Sequence, residues 1–307
     1  MFVINLFTLL LSKKFMMSQS KQDRVTIKVL EEMKSNNEKI SMLTSYDYSF
    51  AKIIDSAGID IILVGDSASN VMAGHETTLP ITLDQMIYHA SSVVRAVKRA
   101  LVVVDLPFGT YQADSKVALK SAIRIMKESG AHAVKLEGGK LVKDSIERIL
   151  KAGIPVMGHL GLVPRKSTWI GGLRAVGKTA NEAYELYQKF KRLENAGAFS
   201  AECEVIPENV MGEISKRTDI VTVSLGSGKN ADVMYLFMED ICGDTENPPR
   251  HSKAYGNLLR LRNEIKLERV KALKAFKKDS MNGKFPGKKQ SSNLEKKQFE
   301  EFINQLD

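Results

Sequence analysis

The sequence predicts an α/β protein: a (β/α)8 barrel in a single domain with a polar C-terminal extension. Three observations lead there. Short apolar runs rich in β-branched residues recur along the chain, amphipathic helical stretches separate them, and several helices end on a glycine that feeds the next strand. Ile61-Ile62-Leu63-Val64 and Leu101-Val102-Val103-Val104 are continuous apolar runs, as expected of strands buried on both faces of a parallel sheet. Eight such strands with intervening helices fit a closed barrel of about 250 residues better than an open sheet.

In chain order, strands are predicted at Ile40–Thr44, Asp60–Val64, Leu101–Asp105, His132–Leu136, Ile154–Gly158, Phe199–Cys203, Ile220–Ser224 and Met234–Met238. Helices are predicted at Tyr48–Ala57, Leu83–Lys98, Ser115–Ser129, Leu141–Ala152, Ala180–Ala196 and Pro207–Arg217. In Ala57-Gly58-Ile59, Ser129-Gly130-Ala131 and Ala152-Gly153-Ile154 the glycine reads as a left-handed helix stop before the next strand. We expect three parts: an N-terminal extension over 1–23, the barrel over 24–286 and a polar, lysine-rich tail over 287–307. The apolar start MFVINLFTLL has no basic residue before it and falls short of the roughly 20 residues that span a bilayer. A translation start at Met16 or Met17 is the expectation set beside a signal peptide.

Composition narrows the class. The chain has 307 residues, 43% hydrophobic and 26% charged, as in an ordinary globular protein. Two cysteines, Cys203 and Cys242, cannot frame a disulfide scaffold, so a reducing, cytoplasmic setting is expected. The net charge of +9 does not argue for nucleic acid. Much of it lies in lysines after Val270, mixed with Glu295, Glu300 and Glu301, which reads as a solvated helix and tail. No aromatic pattern suited to stacking bases accompanies them, and neither a nucleic-acid nor a membrane partner is expected.

The positions of the charged residues carry more. Asp66 follows strand two, Asp105 ends strand three, and Lys135 and Glu137 bracket the end of strand four. His159 follows strand five and Glu204 follows strand six. In a parallel barrel these ends open on one face, where active sites lie, and burying such groups demands mutual pairing or a ligand. Each has a blander reading: Asp66 and Asp105 as caps, Lys135 with Glu137 as a structural ion pair, His159 as a satisfied polar residue, substrate-proximal at most. Glu202 and Glu204 are expected to face opposite ways, one toward the barrel mouth and one toward the helix layer. Together, two aspartates and a glutamate offer the hard oxygen ligands that magnesium prefers. No His/Cys cluster has zinc spacing.

Several long strings give the chain a family resemblance. They are Lys39-Ile40-Ser41-Met42-Leu43-Thr44-Ser45-Tyr46-Asp47, Leu63-Val64-Gly65-Asp66-Ser67, Thr78-Leu79-Pro80-Ile81-Thr82-Leu83-Asp84, Val104-Asp105-Leu106-Pro107-Phe108, Gly130-Ala131-His132-Ala133-Val134-Lys135-Leu136-Glu137-Gly138-Gly139 and Gly153-Ile154-Pro155-Val156-Met157-Gly158-His159-Leu160-Gly161-Leu162. On these, the chain from about Val25 to Pro286 resembles the ketopantoate hydroxymethyltransferases. The resemblance implies a (β/α)8 barrel, Mg2+, and transfer of a hydroxymethyl group from 5,10-methylenetetrahydrofolate to the small 2-oxo acid 3-methyl-2-oxobutanoate, a step of pantothenate biosynthesis. It further implies Asp66 and Asp105 as metal ligands with Glu137 completing the shell, and Ser67 and Lys135 as substrate contacts beside Asp66 and Asp105. Glu204, three residues before Pro207, matches the catalytic base. A homo-oligomer, commonly a decamer, is implied as well.

The chain departs from the family pattern at strand seven. Where the family has Ile-Gly-Ile-Gly-Ala-Gly, this sequence reads Val223-Ser224-Leu225-Gly226-Ser227-Gly228, and Asp-Gly-Gln becomes Asp232-Val233-Met234. Larger side chains there are expected to narrow the mouth near the folate. The alternatives are a divergent paralogue with a metal-enolate lyase or aldolase activity on another 2-oxo acid, and a catalytically silent barrel, which predicts loss of a ligand or of the base.

Overall fold

The structure is a computed structural model that describes residues 24–138, 142–163 and 175–306. The N-terminal segment 1–23, Gly139 and Leu141 lie outside the described residues. By packing, the chain divides into two units: residues up to Met238 with Pro249–Ser252, and Glu239–Pro248 with Lys253–Asp307.

The first unit is a closed barrel of eight parallel strands in sequential order, β1 closing against β8. Helix α1 (Ile27–Ser35) precedes β1 (Ile40–Thr44), then come α2 (Tyr48–Ser56), β2 (Ile61–Val64), the short α3 (Ala68–Val71) and α4 (Leu83–Ala96). The order continues β3 (Leu101–Asp105), α5 (Ser115–Arg124), β4 (Ala133–Glu137), α6 (Lys143–Lys151), β5 (Val156–Gly161), α7 (Ala180–Ala196) and β6 (Ser200–Glu204). It ends with α8 (Glu208–Ser215), β7 (Val221–Leu225) and β8 (Val233–Leu236). The second unit holds α9 (Leu258–Met281) and α10 (Lys296–Ile303).

Local chemistry sets the helix starts. Asp47 caps α2 by accepting from the amides of Ser49 and Phe50, and Thr82 with Gln85 forms a reciprocal capping box at α4, satisfying amides that have no partner in the first turn. The helix predicted over 115–129 is α-helical only to Arg124. Ile125–Ser129 continues as a wider π-helical turn, and Gly130 ends it at φ 75°, a left-handed conformation that glycine adopts without a Cβ penalty.

Alternation along the strands builds the interior from floor to mouth, because successive side chains point to opposite faces. The lower layers are apolar: Met42, Ile61, Leu63, Leu101, Val103, Ala133, Met157, Val221, Val223, Val233 and Tyr235 are buried in one cluster. The same period continues upward into charge. Leu101 and Val103 lead to Asp105, Ala133 to Lys135 and Glu137, Met157 to His159, and Ser200 to Glu202 and Glu204.

Strands β4 to β7 end one to three residues later than the apolar runs suggest, and β8 ends earlier, at Leu236. A parallel ladder pairs backbone groups whatever the side chains carry, so Glu137 still sits opposite His159 and Glu204 opposite Gly161. Asp105, Glu137 and Glu204 are therefore the last residues of their strands, with Lys135, His159 and Glu202 two residues before a strand end, and all of their backbones belong to the barrel ladder.

Candidate active site

Asp105, Lys135, Glu137, His159 and Glu202 are each less than a tenth exposed, and the barrel brings them together at its carboxyl-terminal mouth. Lys135 Nζ lies 2.6 Å from Glu202 Oε2 and 3.2 Å from Asp105 Oδ1. The Asp66 amide donates to Asp105 Oδ2 at 3.0 Å, tying the β2 loop to the end of β3. Ser67 Oγ is 2.8 Å from the Tyr46 hydroxyl. Tyr111 grips the last residue of β4 from both sides. Its hydroxyl donates to the Glu137 carbonyl and accepts from the Glu137 amide, each at 3.1 Å.

His159 bridges two carboxylates. Its Nδ1 is 3.5 Å from Glu137 Oε1, and its Nε2 is 3.2 Å from Glu204 Oε2. Nε2 also lies 2.8 Å from the Leu162 carbonyl, which can only accept, so that nitrogen carries the proton.

Glu202 and Glu204 do not face opposite ways. Both enter the barrel interior, Glu202 against Lys135 and Glu204 against His159. The expectation fails on elementary geometry: a strand has a side-chain period of two, so residues two apart share a face, and Cys203 is the one turned outward. The same period, applied to Glu204, would have identified Glu202 as a site residue. Its pairing with Lys135 had no signal in the sequence.

The electrostatics divide the mouth in two. Burial, reinforced by the facing Asp105 and Glu137, pushes Asp66 up to about 8, although Lys135 and a hydrogen bond from Thr78 pull the other way. Burial raises Asp105 to about 6, opposed by Lys135 and assisted by Glu202 and Glu137. Against burial, which disfavours the charged form, Asp105 and Glu202 hold Lys135 well above its ordinary value. Against the same penalty, Glu202, Glu137 and Glu204 hold His159 well above the imidazole range. The site thus carries five carboxyl groups against one lysine and one imidazolium.

Two groupings could hold a cation. His159, Glu202 and Glu204 offer ligand atoms within 4.8 Å of one another. Those groups are already engaged, however: Glu202 by Lys135, and His159 Nε2 by a carbonyl that fixes its proton. Asp66, Asp105 and Glu137 fit a cation better. Asp105 and Glu137 raise the proton affinity of Asp66, Glu137 also raises that of Asp105, and Asp105 Oδ1, though buried, makes no hydrogen bond, because the lysine 3.2 Å away is directed at Glu202. Three hard oxygens, with no sulfur or free imidazole among them, suit magnesium rather than zinc.

The strand-seven serines do not line the mouth. Ser224 and Ser227 are buried, and their hydroxyls bond to backbone groups of the β6 and β7 ends. Ser224 has the parity of the outward-facing residues, between the inward-facing Val223 and Leu225.

Comparison with known proteins agrees with this geometry. Residues 24–288 match the family model of ketopantoate hydroxymethyltransferase. A 3-methyl-2-oxobutanoate hydroxymethyltransferase of Flavobacterium johnsoniae is 55% identical over 273 residues, 88% of this chain and 98% of that protein. One from Parabacteroides distasonis is 50% identical over 89% of this chain and 99% of its own length. Among solved structures, a phosphonopyruvate hydrolase in complex with oxalate and Mg++ superposes with a TM-score of 0.52 at 10% identity, covering 86% of this chain and 92% of its own. A 2,3-dimethylmalate lyase of the PEP mutase/isocitrate lyase superfamily gives 0.51 at 14% identity, covering 91% of this chain and 93% of its own; at such identities the likeness is one of fold. No helix among the described residues is long and apolar enough to cross a membrane. With the family model matched across the whole barrel and half or more of the residues shared with full-length relatives, the chain belongs to the ketopantoate hydroxymethyltransferase family and is an enzyme.

Proposed function

We propose that this enzyme transfers a hydroxymethyl group from 5,10-methylenetetrahydrofolate to 3-methyl-2-oxobutanoate, giving 2-dehydropantoate (ketopantoate) for pantothenate biosynthesis in the cytoplasm. The observation that carries the reading is the mouth's division of labour. Three carboxylates short of positive charge stand beside a separately braced carboxylate, Glu204. Asp66, Asp105 and Glu137 would hold Mg2+, which supplies Lewis-acid stabilisation of charge developing on the oxygens of a 2-oxo acid.

The chain's own residues do the rest. Glu204 is the general base that takes the C3 proton. Its carboxylate is 13% exposed against 3% for Glu202, so it is the one open to a substrate. His159 stands 3.2 Å from it as an ion-pair partner and orients it, and its other nitrogen, 3.5 Å from Glu137, ties that imidazole to the metal side of the mouth. Lys135, held charged by Asp105 and Glu202, faces negative charge developing on the substrate in a site largely closed to water, where such a charge counts most. Ser67, presented at the start of α3 beside Asp66, is a substrate contact. The carbon freed of its proton then bonds to the one-carbon unit, whose two C–N bonds to the folate break to release tetrahydrofolate, while a water supplies the hydroxyl oxygen of the new hydroxymethyl group.

A homo-oligomer, a decamer by family resemblance, is supported by apolar surface in each unit. Met234 on β8 is 36% exposed. No residue of the 24-residue α9 is buried, and Leu267, Leu273 and Phe276 are among its exposed apolar side chains. A 24-residue helix that buries none of its apolar side chains within its own chain is what a helix covered by another subunit would look like.

The test is direct. Purified protein with 3-methyl-2-oxobutanoate, Mg2+ and 5,10-methylenetetrahydrofolate should form ketopantoate, followed by mass spectrometry, and chelation of the metal should stop it. Metal-dependent exchange of the C3 hydrogen with no ketopantoate at saturating folate would overturn the transfer while leaving the proton abstraction in place.

A further inference from the structure

The turn that carries Glu204 is strained, and the strain has a brace. Val205 follows Glu204 directly and sits at φ 49°, a left-handed conformation in which a β-branched side chain crowds its own backbone. Such outliers persist only where the surroundings over-determine them. Here they do. The Glu204 carbonyl accepts from the Leu162 amide at 2.8 Å, the Val205 amide donates to the Leu225 carbonyl at 2.9 Å, and the Ile206 amide donates to Ser227 Oγ at 2.8 Å. Ser227 Oγ in turn donates to the Cys203 carbonyl at 2.7 Å.

One hydroxyl therefore spans the strained pair, fastening the residue before Glu204 and the residue after Val205. Ser227 is fully buried. It is itself fixed by Ser224, whose Oγ accepts from the Ser227 amide at 3.1 Å and donates to the Gly228 carbonyl at 2.7 Å. On the β5 side the approach is just as close, for a Cβ on Gly161 would lie 2.2 Å from the Glu204 carbonyl oxygen. The backbone beneath Glu204 is thus gripped from β5 and from the segment after β7, and the latter grip depends on the Ser227 hydroxyl.

We propose that Ser227 is a positioning residue: by bridging Cys203 and Ile206 it holds the strained Glu204–Val205 turn and so sets the aim of the Glu204 carboxylate. The inference rests on the reading of Glu204 as the base. Losing the bridge leaves a buried carbonyl and a buried amide without their partner and lets the turn relax away from positive φ. A small displacement of a reacting group costs rate far more than affinity, up to about 10²-fold for about 1 Å.

The experiment reads metal-dependent C3 hydrogen exchange of 3-methyl-2-oxobutanoate in deuterated water by NMR, together with substrate affinity and the thermal midpoint. Ser227→Ala should lower the exchange rate of the folded enzyme by about tenfold or more, with substrate and Mg2+ affinities unchanged. Val205→Gly lets residue 205 hold its φ without a Cβ, so Ser227→Ala in that background should cost much less. An unchanged exchange rate in Ser227→Ala, or an equal loss in both backgrounds, overturns the proposal. So does a fall in thermal midpoint alone, since a merely structural serine would change stability and not the rate per folded molecule. Should the alanine variant fail to fold, Ser227→Cys, a weaker donor in the same place, is read by the same criteria. Glu204→Gln run alongside separates the two failures: if it still exchanges, the base assignment falls and the proposal with it.

Discussion

The two halves of the barrel mouth are built from the same side chains to opposite electrostatic ends. On the β5–β6 half each carboxylate has a cation of its own, Glu202 with Lys135 and Glu204 with His159. On the β2–β4 half, Asp66 and Asp105 face each other and Glu137 and share the far side of that lysine, so burial and the neighbouring carboxyl groups lift Asp66 to about 8 and Asp105 to about 6. The paired half is complete as folded and can hold a base in a fixed charge state. On the proposed function, the acidic half is the one that takes up a cation. Placing both within one mouth, linked through His159, would then separate the group that moves a proton from the groups that steady charge.

The largest expected effect breaks the paired half at its exposed end. Glu204→Gln should bind substrate and metal yet lose C3 hydrogen exchange by about 10² to 10⁴-fold, the usual worth of a general base, as NMR in deuterated water would show. Glu202→Gln strikes the buried end of the same half and should give the reverse pattern: exchange persists while the fold weakens. It leaves Lys135 with Asp105 alone, and breaking a buried pair from one side costs about 3–5 kcal/mol. Urea unfolding would measure that loss. If Glu202→Gln abolishes exchange in a folded enzyme and Glu204→Gln does not, the roles of the two glutamates are exchanged.

Much of this was legible in the sequence, and the limit falls at a definite place. Short apolar runs, several of them continuous, located all eight strands, since burial on both faces leaves few polar residues to confuse them. The same criterion ended β4, β5 and β6 too early, because the ladder continues under Glu137, His159 and Glu204 after the apolar run has stopped, and it ended β7 one residue short of Leu225. Position and resemblance single out Asp66, Asp105, Glu137 and Glu204 one at a time, and the structure gathers them at one mouth. The bridge formed by His159, the Lys135–Glu202 pair and the Ser227 brace join residues 21 to 67 positions apart. Contacts of that kind depend on strand register, which the barrel fixes and a linear reading does not contain.

A smaller effect tests the acidic half directly. Asp105→Asn removes one hard ligand and one of the charges that lift Asp66, so Mg2+ affinity should fall by at least the 10- to 100-fold seen when only a ligand's supporting partner is lost. Calorimetry would read it, with the thermal midpoint of the metal-free protein unchanged or raised. Unchanged affinity would return the cation to the His159, Glu202 and Glu204 grouping.

The smallest effect is a difference in slope with pH, and it pits the mouth against the opposite end of the barrel. Asp66 has a folded pKa of about 8 against an ordinary 3.8, so between those values the native protein binds more protons than the unfolded chain and metal-free stability falls as pH rises. Asp105, raised to about 6, adds to that fall, and His159, held above its ordinary 6.5, extends it on the alkaline side. His132, at the start of β4, behaves in the opposite sense. Burial first, then Arg24, lowers it from 6.5 to about 4, and its Nδ1 accepts from the Val102 amide at 2.8 Å. Its contribution is present above pH 6.5 and is lost as pH falls toward 4. In chelator the opposing slopes should partly cancel between about pH 4 and 6.5, leaving a shallower decline there than above 6.5 in a series of thermal midpoints. His132→Gln should steepen the decline below 6.5, whereas Asp66→Asn should lessen it throughout. Saturating Mg2+ should flatten the profile of the unaltered protein, because a bound cation replaces the proton on Asp66, but should do little for Asp66→Asn. If chelated and Mg2+-loaded proteins show the same slope, the acidic half is not where the cation binds.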